Sequence, residues 1–306
     1  MTTAELLKNL EVPTGPVDVV LDTDAYNEID DQFAISYMLR CGEKLNIKGF
    51  CAAPFFNHHS TSPADGMLRS YDEIINLLTL DNRQELIPHV YKGSETYLPD
   101  ENTPVESDAA RFLLELSRNY STEKPLYIVA IGAITNVASA LLMDPSMKER
   151  VVVIWLGGCA QHWFENREFN LTQDIAAARI IFGCGVPFVQ LPCMGVVDKF
   201  TTSRYELEYW LKGKSALCDY LLGRTIDEAE SYAKGTAWTR VIWDVTAVAW
   251  LMNDGGKFMR DELLHSPIPE YDHRYAMDNT RHFMKHVSDV HRDALFTELF
   301  KRLTEK

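Results

Sequence analysis

Apolar runs and stretches of helical period alternate along most of the chain. Val17 to Leu21 is a β-branched run suited to a buried strand. Behind it Phe33, Ala34, Ile35, Tyr37, Met38 and Leu39 recur at helical spacing, with Gly42 as a stop. Asn46 to Ala53 predicts a second strand. A helix from about Asp65 to Leu78 follows, with Met67, Leu68, Tyr71, Ile74, Ile75 and Leu78 on one face. Ile87 to Tyr91 predicts a short strand, Gly93 to Val105 a polar loop, and Ser107-Asp108 the start of a helix over Ala109 to Leu116. Next come a strand at Leu126 to Ile131, a helix at Thr135 to Met143, a strand at Val151 to Leu156, a helix at Asp174 to Phe182 and a strand at Val186 to Leu191. From Thr202 onward the pattern is mostly helical. Repeated strand, helix, strand predicts an α/β fold: one domain over residues 1–306, with a central, mainly parallel sheet flanked by helices, an open Rossmann-like core and a helical C-terminal part.

Composition narrows the class. The 306 residues are 46% hydrophobic, enough for a large core. A formal charge of −14 argues against nucleic acid as a partner, since phosphate-backbone binding needs a basic face. No apolar run approaches the roughly 20 residues of a membrane span, so no membrane partner is expected. The first ten residues lack a signal-peptide pattern, and the six cysteines show no Cys-x-x-Cys spacing. Together these predict reduced thiols and a cytoplasmic protein.

The polar positions carry the chemistry. Five carboxylates fall within ten residues of the first strand-to-helix turn: Asp22, Asp24, Glu28, Asp30 and Asp31. An isolated Asp-Asp pair is ordinarily a solvated helix cap. Two carboxylates at the strand mouth and two more at the helix entrance instead require protonation or a cation among them. All-oxygen donors select a hard ion, Ca²⁺ or Mg²⁺. Asp22 and Asp24, Asn57, Gly132 to Asn136 and Gly157 to Asn170 all follow predicted strands. In an open parallel sheet, groups beyond the carboxyl ends of the strands converge on a ligand site.

Asp22-Thr23-Asp24 followed by Asp30-Asp31 resembles the N-terminal signature of the inosine-uridine nucleoside hydrolases, calcium-dependent N-ribohydrolases. That signature usually has a shorter spacer with Pro-Gly; here five residues, Ala25 to Ile29, stand in its place. Leu126 to Asn136 resembles a second signature, a strand followed by Gly-x-x-Thr-Asn, in which the residue before the glycine, here Ile131, gives its backbone carbonyl to calcium. On the residues alone, Thr135 or Asn136 could simply cap a helix. Glu168-Phe169-Asn170 resembles the segment that binds the ribose, and Asn57 matches another ribose-contacting Asn. In Ile242-Trp243-Asp244, the Asp opens an apolar helix, where capping alone could place it; the resemblance makes it a calcium ligand. The residue before it is often a His that protonates the leaving base. Here it is Trp243, which cannot donate that proton but can stack on a purine.

The resemblance covers about residues 17 to 302. It implies a calcium ion held by Asp24, Asp31, the Ile131 carbonyl and Asp244, with Asp24 as the catalytic base. It further implies ribose contacts from Asp30, Asn57, Glu168 and Asn170, a small ribonucleoside as substrate, a suspected purine preference, and a homo-oligomer, dimer or tetramer. Phe55, Tyr97, Trp163 or Tyr232 could supply a second aromatic wall. His58, His59 and His162 are expected to be ordinary surface histidines. A Mg²⁺-dependent phosphohydrolase of the haloacid dehalogenase type also opens with a strand and Asp-x-Asp, but its metal pair falls late in the chain. A non-catalytic, calcium-dependent nucleoside binder is the other alternative. No Gly-x-Gly-x-x-Gly suggests a dinucleotide fold, and no Gly-x-Ser-x-Gly a serine hydrolase.

Overall fold

The computed structural model describes residues 1–305. Twelve strands are present: β1 (Val17–Thr23), β2 (Leu45–Ala52), β3 (Val90–Lys92), β4 (Leu126–Ala130), β5 (Val151–Leu156), β6 (Phe188–Leu191), β7 (Thr201–Ser203), β8 (Thr239–Val241), β9 (Met259–His265), β10 (Ile268–Pro269), β11 (Tyr275–Ala276) and β12 (Phe283–Val290). The helices are α1 (Thr3–Asn9), α2 (Asp30–Leu39), α3 (Pro63–Leu80), α4 (Asp108–Ser117), α5 (Thr135–Met143), α6 (Phe169–Gln173), α7 (Ile175–Gly183), α8 (Arg204–Leu211), α9 (Ala216–Ala233), α10 (Val245–Leu251) and α11 (Arg292–Thr304).

Eight strands form one sheet in the order β3-β2-β1-β4-β5-β6-β12-β9, parallel throughout except for β9, which runs antiparallel to β12 at the edge. Strand β5 explains why the sheet is central. Its six residues, Val-Val-Val-Ile-Trp-Leu, are all buried. Val152, Ile154 and Leu156 join the core on one face, with α2, α10 and α11; Val151, Val153 and Trp155 join the core on the other, with α4, α5 and α7. A strand apolar on both pleats can only sit in a sheet covered on both sides.

Helix α2 departs from the expected one-sided pattern: all ten of its residues, including Asp30 and Asp31, are buried. It is clamped between the sheet, α3 and α10. The predicted strand at Ile87 to Tyr91 is instead a 3₁₀ turn, Gln84–His89, leading into β3. The mostly helical reading beyond Thr202 holds for α8 to α10 and α11 and fails for residues 259–290. There β9 and β12 extend the sheet, while β10 and β11 form a small hairpin. On β9, Arg260, Glu262 and Leu263 are exposed, which suits an edge strand but erases the apolar run that marks a buried one. Among the described residues no helix is long and apolar enough to cross a membrane, and all six cysteines are free thiols.

The chain leaves β1 toward β2 and β3 on one side, then returns to place β4 on β1's other side. Leu21 of β1 faces Phe50 of β2 and Val129 of β4. The crevice between the carboxyl ends of β1 and β4 is the switch point of the sheet, where ligands bind in open α/β folds.

Candidate active site

At that switch point β1 ends in Asp22-Thr23-Asp24, and Ile131 N–H beyond β4 donates to the Asp22 carbonyl at 2.8 Å. Gly132 follows because the space is taken: a Cβ there would lie 3.0 Å from Asp24 Cγ. Asp24 is completely buried, and neither of its carboxylate oxygens has a hydrogen-bond partner. Asp22 Oδ1 accepts from Asn136 Nδ2 at 2.8 Å, while its Oδ2 is buried and unpartnered. Asp30 and Asp31 enter on the first turn of α2, Asp244 at the start of α10, and carboxylate oxygens of these three lie within 4.8 Å of one another. Asp244 occupies the N-cap position of α10 but makes no side-chain capping bond. Its carboxylate is turned to the cluster instead. Thr23 Oγ1 donates to Asp31.

Burial raises the carboxyls of the five aspartates, and their neighbours raise four of them further. Burial first, then the charges of Asp31 and Asp30, hold Asp24 well above the usual carboxylate range. Asp31 and Asp244 are raised in the same way, by burial and then by Asp30. Asp30 is pushed up to about 7 by burial and by Glu28, and Asp22 to about 7 by burial. Orphaned acceptors beneath a cluster of hard oxygen donors are what a divalent cation would satisfy. The donor set therefore fits Ca²⁺ or Mg²⁺. Asp24, Asp31, Asp244 and the Ile131 carbonyl could hold it, and Asp30 is close enough to join them. Ile131 O already accepts from Asn170 Nδ2 at 3.2 Å, which leaves one of its two lone pairs.

Above the acids lies a cavity of about 410 Å³ lined by Asn27, Asp30, Asn57, Ile131, Glu168, Asn170, Trp243 and Asp244, among others. The structure thus gathers the sequence-expected Asp30, Asn57, Ile131, Glu168, Asn170, Trp243 and Asp244 around one space, with Asp24 and Asp31 buried below it. Asn57 Nδ2 donates to Asn27 Oδ1 at 2.6 Å, and its own Oδ1 accepts from His59 N–H. Glu168 is the N-cap of α6, accepting from the backbone N–H groups of Gly158, Asn170 and Leu171 at 2.7 to 2.9 Å. Burial raises its carboxyl even against those three donors. Asn170 Nδ2 also donates to Leu156 O at 3.0 Å.

Several expectations change. Thr135 and Asn136 do not cap α5. Thr135 Oγ1 donates to Asp174 at 2.7 Å, and Asn136 Oδ1 accepts from Ser94 while its amide holds Asp22. None of the four candidates for a second aromatic wall lines the cavity. Phe55 is buried under α3, Tyr97 bonds Gln173, Trp163 packs on Phe164, and Tyr232 faces Arg240. The rings that do line it, besides Trp243, are Phe169 and His58. His58 is exposed, as expected, yet lines the cavity, and His59 lies 3.4 Å from Glu228; His162 is exposed as expected. Sequence reasoning missed Asn27, Cys193 and Met194, which also line the cavity. Cys193 and Met194 directly follow β6, so the strand-end rule could have found them. A larger, shallower depression of about 590 Å³ sits at the β3 edge of the sheet; its carboxylates, Asp108 and Glu115, are exposed.

Comparison with known proteins shows the family. The family model for inosine-uridine preferring nucleoside hydrolase matches residues 19–291. The probable uridine nucleosidase 2 of Arabidopsis thaliana is 28% identical over 133 residues, covering 42% of this chain and 40% of that protein. The pyrimidine-specific ribonucleoside hydrolase RihA of Escherichia coli (strain SMS-3-5 / SECEC) is 28% identical over 163 residues, 51% of this chain and 50% of that protein. The chain thus spans about half the length, or less, of these curated relatives. Among solved structures, a plant nucleoside hydrolase, the PpNRh1 enzyme, superposes with a TM-score of 0.76 at 20% identity, covering 95% of this chain and 100% of that one. A purine-preferring ribonucleoside hydrolase from Gardnerella vaginalis gives 0.75 at 19% identity, covering 94% and 98%. At such identities these likenesses speak for the fold. With a family model spanning residues 19–291, this chain belongs to the inosine-uridine preferring nucleoside hydrolases.

Proposed function

We propose that the protein hydrolyses the N-glycosidic bond of ribonucleosides, releasing base and ribose, with Ca²⁺ bound in its acidic cluster. The observation that carries this reading is Asp24: a buried carboxylate with two unpartnered oxygens, within the electrostatic reach of Asp30, which itself lines a cavity rimmed by amide and carboxylate groups. Asp24, Asp31, Asp244 and the Ile131 carbonyl would hold the cation, which would supply Lewis acidity at the site. Asp24 takes the proton from the attacking water. Asp30 accepts a hydrogen bond from a ribose hydroxyl, one that tightens as the sugar gains oxocarbenium character. Asn57, Asn170 and the remaining acceptor capacity of Glu168 fix the sugar, and their own bonds to Asn27, Leu156 and the α6 backbone keep them in place.

Purines are the favoured leaving groups in this reading. Trp243 lines the cavity, and an indole ring there stacks better on a purine, which presents more area than a pyrimidine. The similar proteins named above include pyrimidine-specific and purine-preferring enzymes, so the ring at position 243 is the argument here. The reading is tested by incubating calcium-loaded protein with inosine, adenosine, guanosine, uridine and cytidine and assaying free ribose. Ribose release faster from purines supports it; uridine faster than inosine overturns the preference, and no release from any nucleoside overturns the activity. Metal analysis showing stoichiometric calcium supports the cation, and stoichiometric zinc in the acidic cluster overturns it.

A further inference from the structure

Beside the nucleoside cavity stands a second group of ligating side chains that the proposed reaction does not use. His58 and His59 lie in the turn after β2, and Glu228 on α9 faces them. One ligand atom from each lies within 4.8 Å of the other two. His59 Nε2 sits 3.4 Å from Glu228 Oε2, is shielded from solvent and makes no hydrogen bond. Glu228 and His59 are only 13% and 22% exposed, so their partial desolvation favours a bound ion over bulk water.

We propose that His58, His59 and Glu228 form a binding site for a transition-metal dication of the zinc class, at the rim of the cavity and distinct from the acidic cluster beneath it. Two imidazoles, borderline donors, joined by one carboxylate make a mixed nitrogen and oxygen set that suits Zn²⁺, whereas Ca²⁺ and Mg²⁺ take oxygen alone. Three protein ligands leave a fourth position open to water or to an incoming ligand.

The His58 and His59 rings lie with centroids 3.8 Å apart and planes tilted by 43°. A ligand atom of each ring and one of Glu228 all come within 4.8 Å of one another, a spacing that one shared cation can bridge. The turn is also held in advance: Asn57 Oδ1 accepts from His59 N–H at 2.8 Å, and Ser60 Oγ donates to Phe55 O at 3.1 Å. The Tyr26 ring stands perpendicular to His59, centroids 6.3 Å apart, and buttresses it. Because His58 lines the cavity and Asn57 is its neighbour, an ion here ties the turn that carries a sugar contact to α9.

The test uses calcium-saturated protein titrated with Zn²⁺ by calorimetry, and with Co²⁺ by visible absorption. One zinc equivalent per chain and a cobalt d–d band are expected without calcium release. His59→Ala and Glu228→Gln should each weaken zinc binding at least tenfold, and Glu228→His should restore it, since imidazole is itself a ligand. Circular dichroism establishes that the variants are folded. Zinc affinity equal in wild-type protein, His59→Ala and Glu228→Gln overturns the site. So does zinc uptake matched by calcium loss, which would put the ion in the acidic cluster. The outcome does not depend on nucleoside cleavage: the binding titrations stand whether or not the protein releases ribose.

Discussion

Replacing Asp244 by Asn should make the metal-free protein more stable and the calcium-loaded protein less so. Oxygens of Asp30, Asp31 and Asp244 lie within 4.8 Å of one another. Two ionised carboxylates at that distance repel by about 3 kcal/mol at an effective dielectric of about 20. Asp244→Asn removes two of the three pairs and keeps an amide that can hydrogen-bond Asp30. Wild-type protein escapes part of the repulsion by staying protonated, because burial and these neighbours raise Asp244 well above the usual carboxylate range. The expected net gain is therefore about 1–3 kcal/mol, or roughly 2–6 °C in Tm for a chain of this size. Its pH dependence has a definite sign. A carboxyl whose folded-state pKa is raised binds more protons folded than unfolded, so wild-type stability falls as pH rises above the unfolded value of 3.8. The advantage of the variant should be small near pH 4 and grow through about 7, where Asp30 also ionises. Calcium reverses the order, since at 100 times its Kd a ligand adds about 2.7 kcal/mol to the form that binds it, and the variant has lost a ligand. Differential scanning calorimetry at several pH values, in EDTA and in calcium, reads all of this. A variant less stable than wild type in EDTA at pH 8 would refute the assignment of Asp244 to an uncompensated acidic cluster and make it a structural residue.

Three other outcomes follow from the geometry. Asp24→Ala should lower ribose release by about 10²–10⁴-fold, the usual worth of a general base, with folding retained; single-turnover assays check it, and activity above a few per cent places the base elsewhere. Trp243→Ala should slow inosine cleavage by roughly 2- to 13-fold, from about 0.5–1.5 kcal/mol of lost stacking, with less effect on a nitrophenyl riboside whose leaving group needs no help; equal losses would make Trp243 a packing residue. Gly66→Ala should destabilise by about 1–3 kcal/mol despite better helix propensity, because a Cβ there would sit 2.0 Å from Phe55 O; thermal melts compared with wild type decide it.

Much of this architecture can be read from the sequence, for a physical reason. Strands β4 and β5 are buried on both faces, so they leave uninterrupted apolar runs, and α7 begins at a recognisable cap, Asp174. The acidic turn is legible because like charges at that density have few alternatives. What was lost lies where polarity serves the edge. Strand β12 carries Lys285, His286 and Asp289 among its apolar residues, and Lys285 pairs with Asp261 on β9 at 2.7 Å, so neither strand shows a clean period of two. The capping of α6 and the anchoring of Gly158 by Glu168 were equally hidden: a one-turn helix such as α6 has too few residues to show a period. The orientation of Asp244, away from its own helix and toward α2, depends on a contact no local pattern contains.

That same contact between α2 and α10 joins residues more than two hundred positions apart. On the ribosome, β1 to β6 are all synthesised before α10 exists, so Asp30 and Asp31 lack their lid during that interval. Water reaches the acidic turn until α10 docks, and the cost of dehydrating four or five carboxylates falls at the end of folding. Such distant pairings form slowly, because the loop must close before any contact rewards it. A cation bound among these carboxylates would therefore stabilise the docking of α10 as well as the site itself.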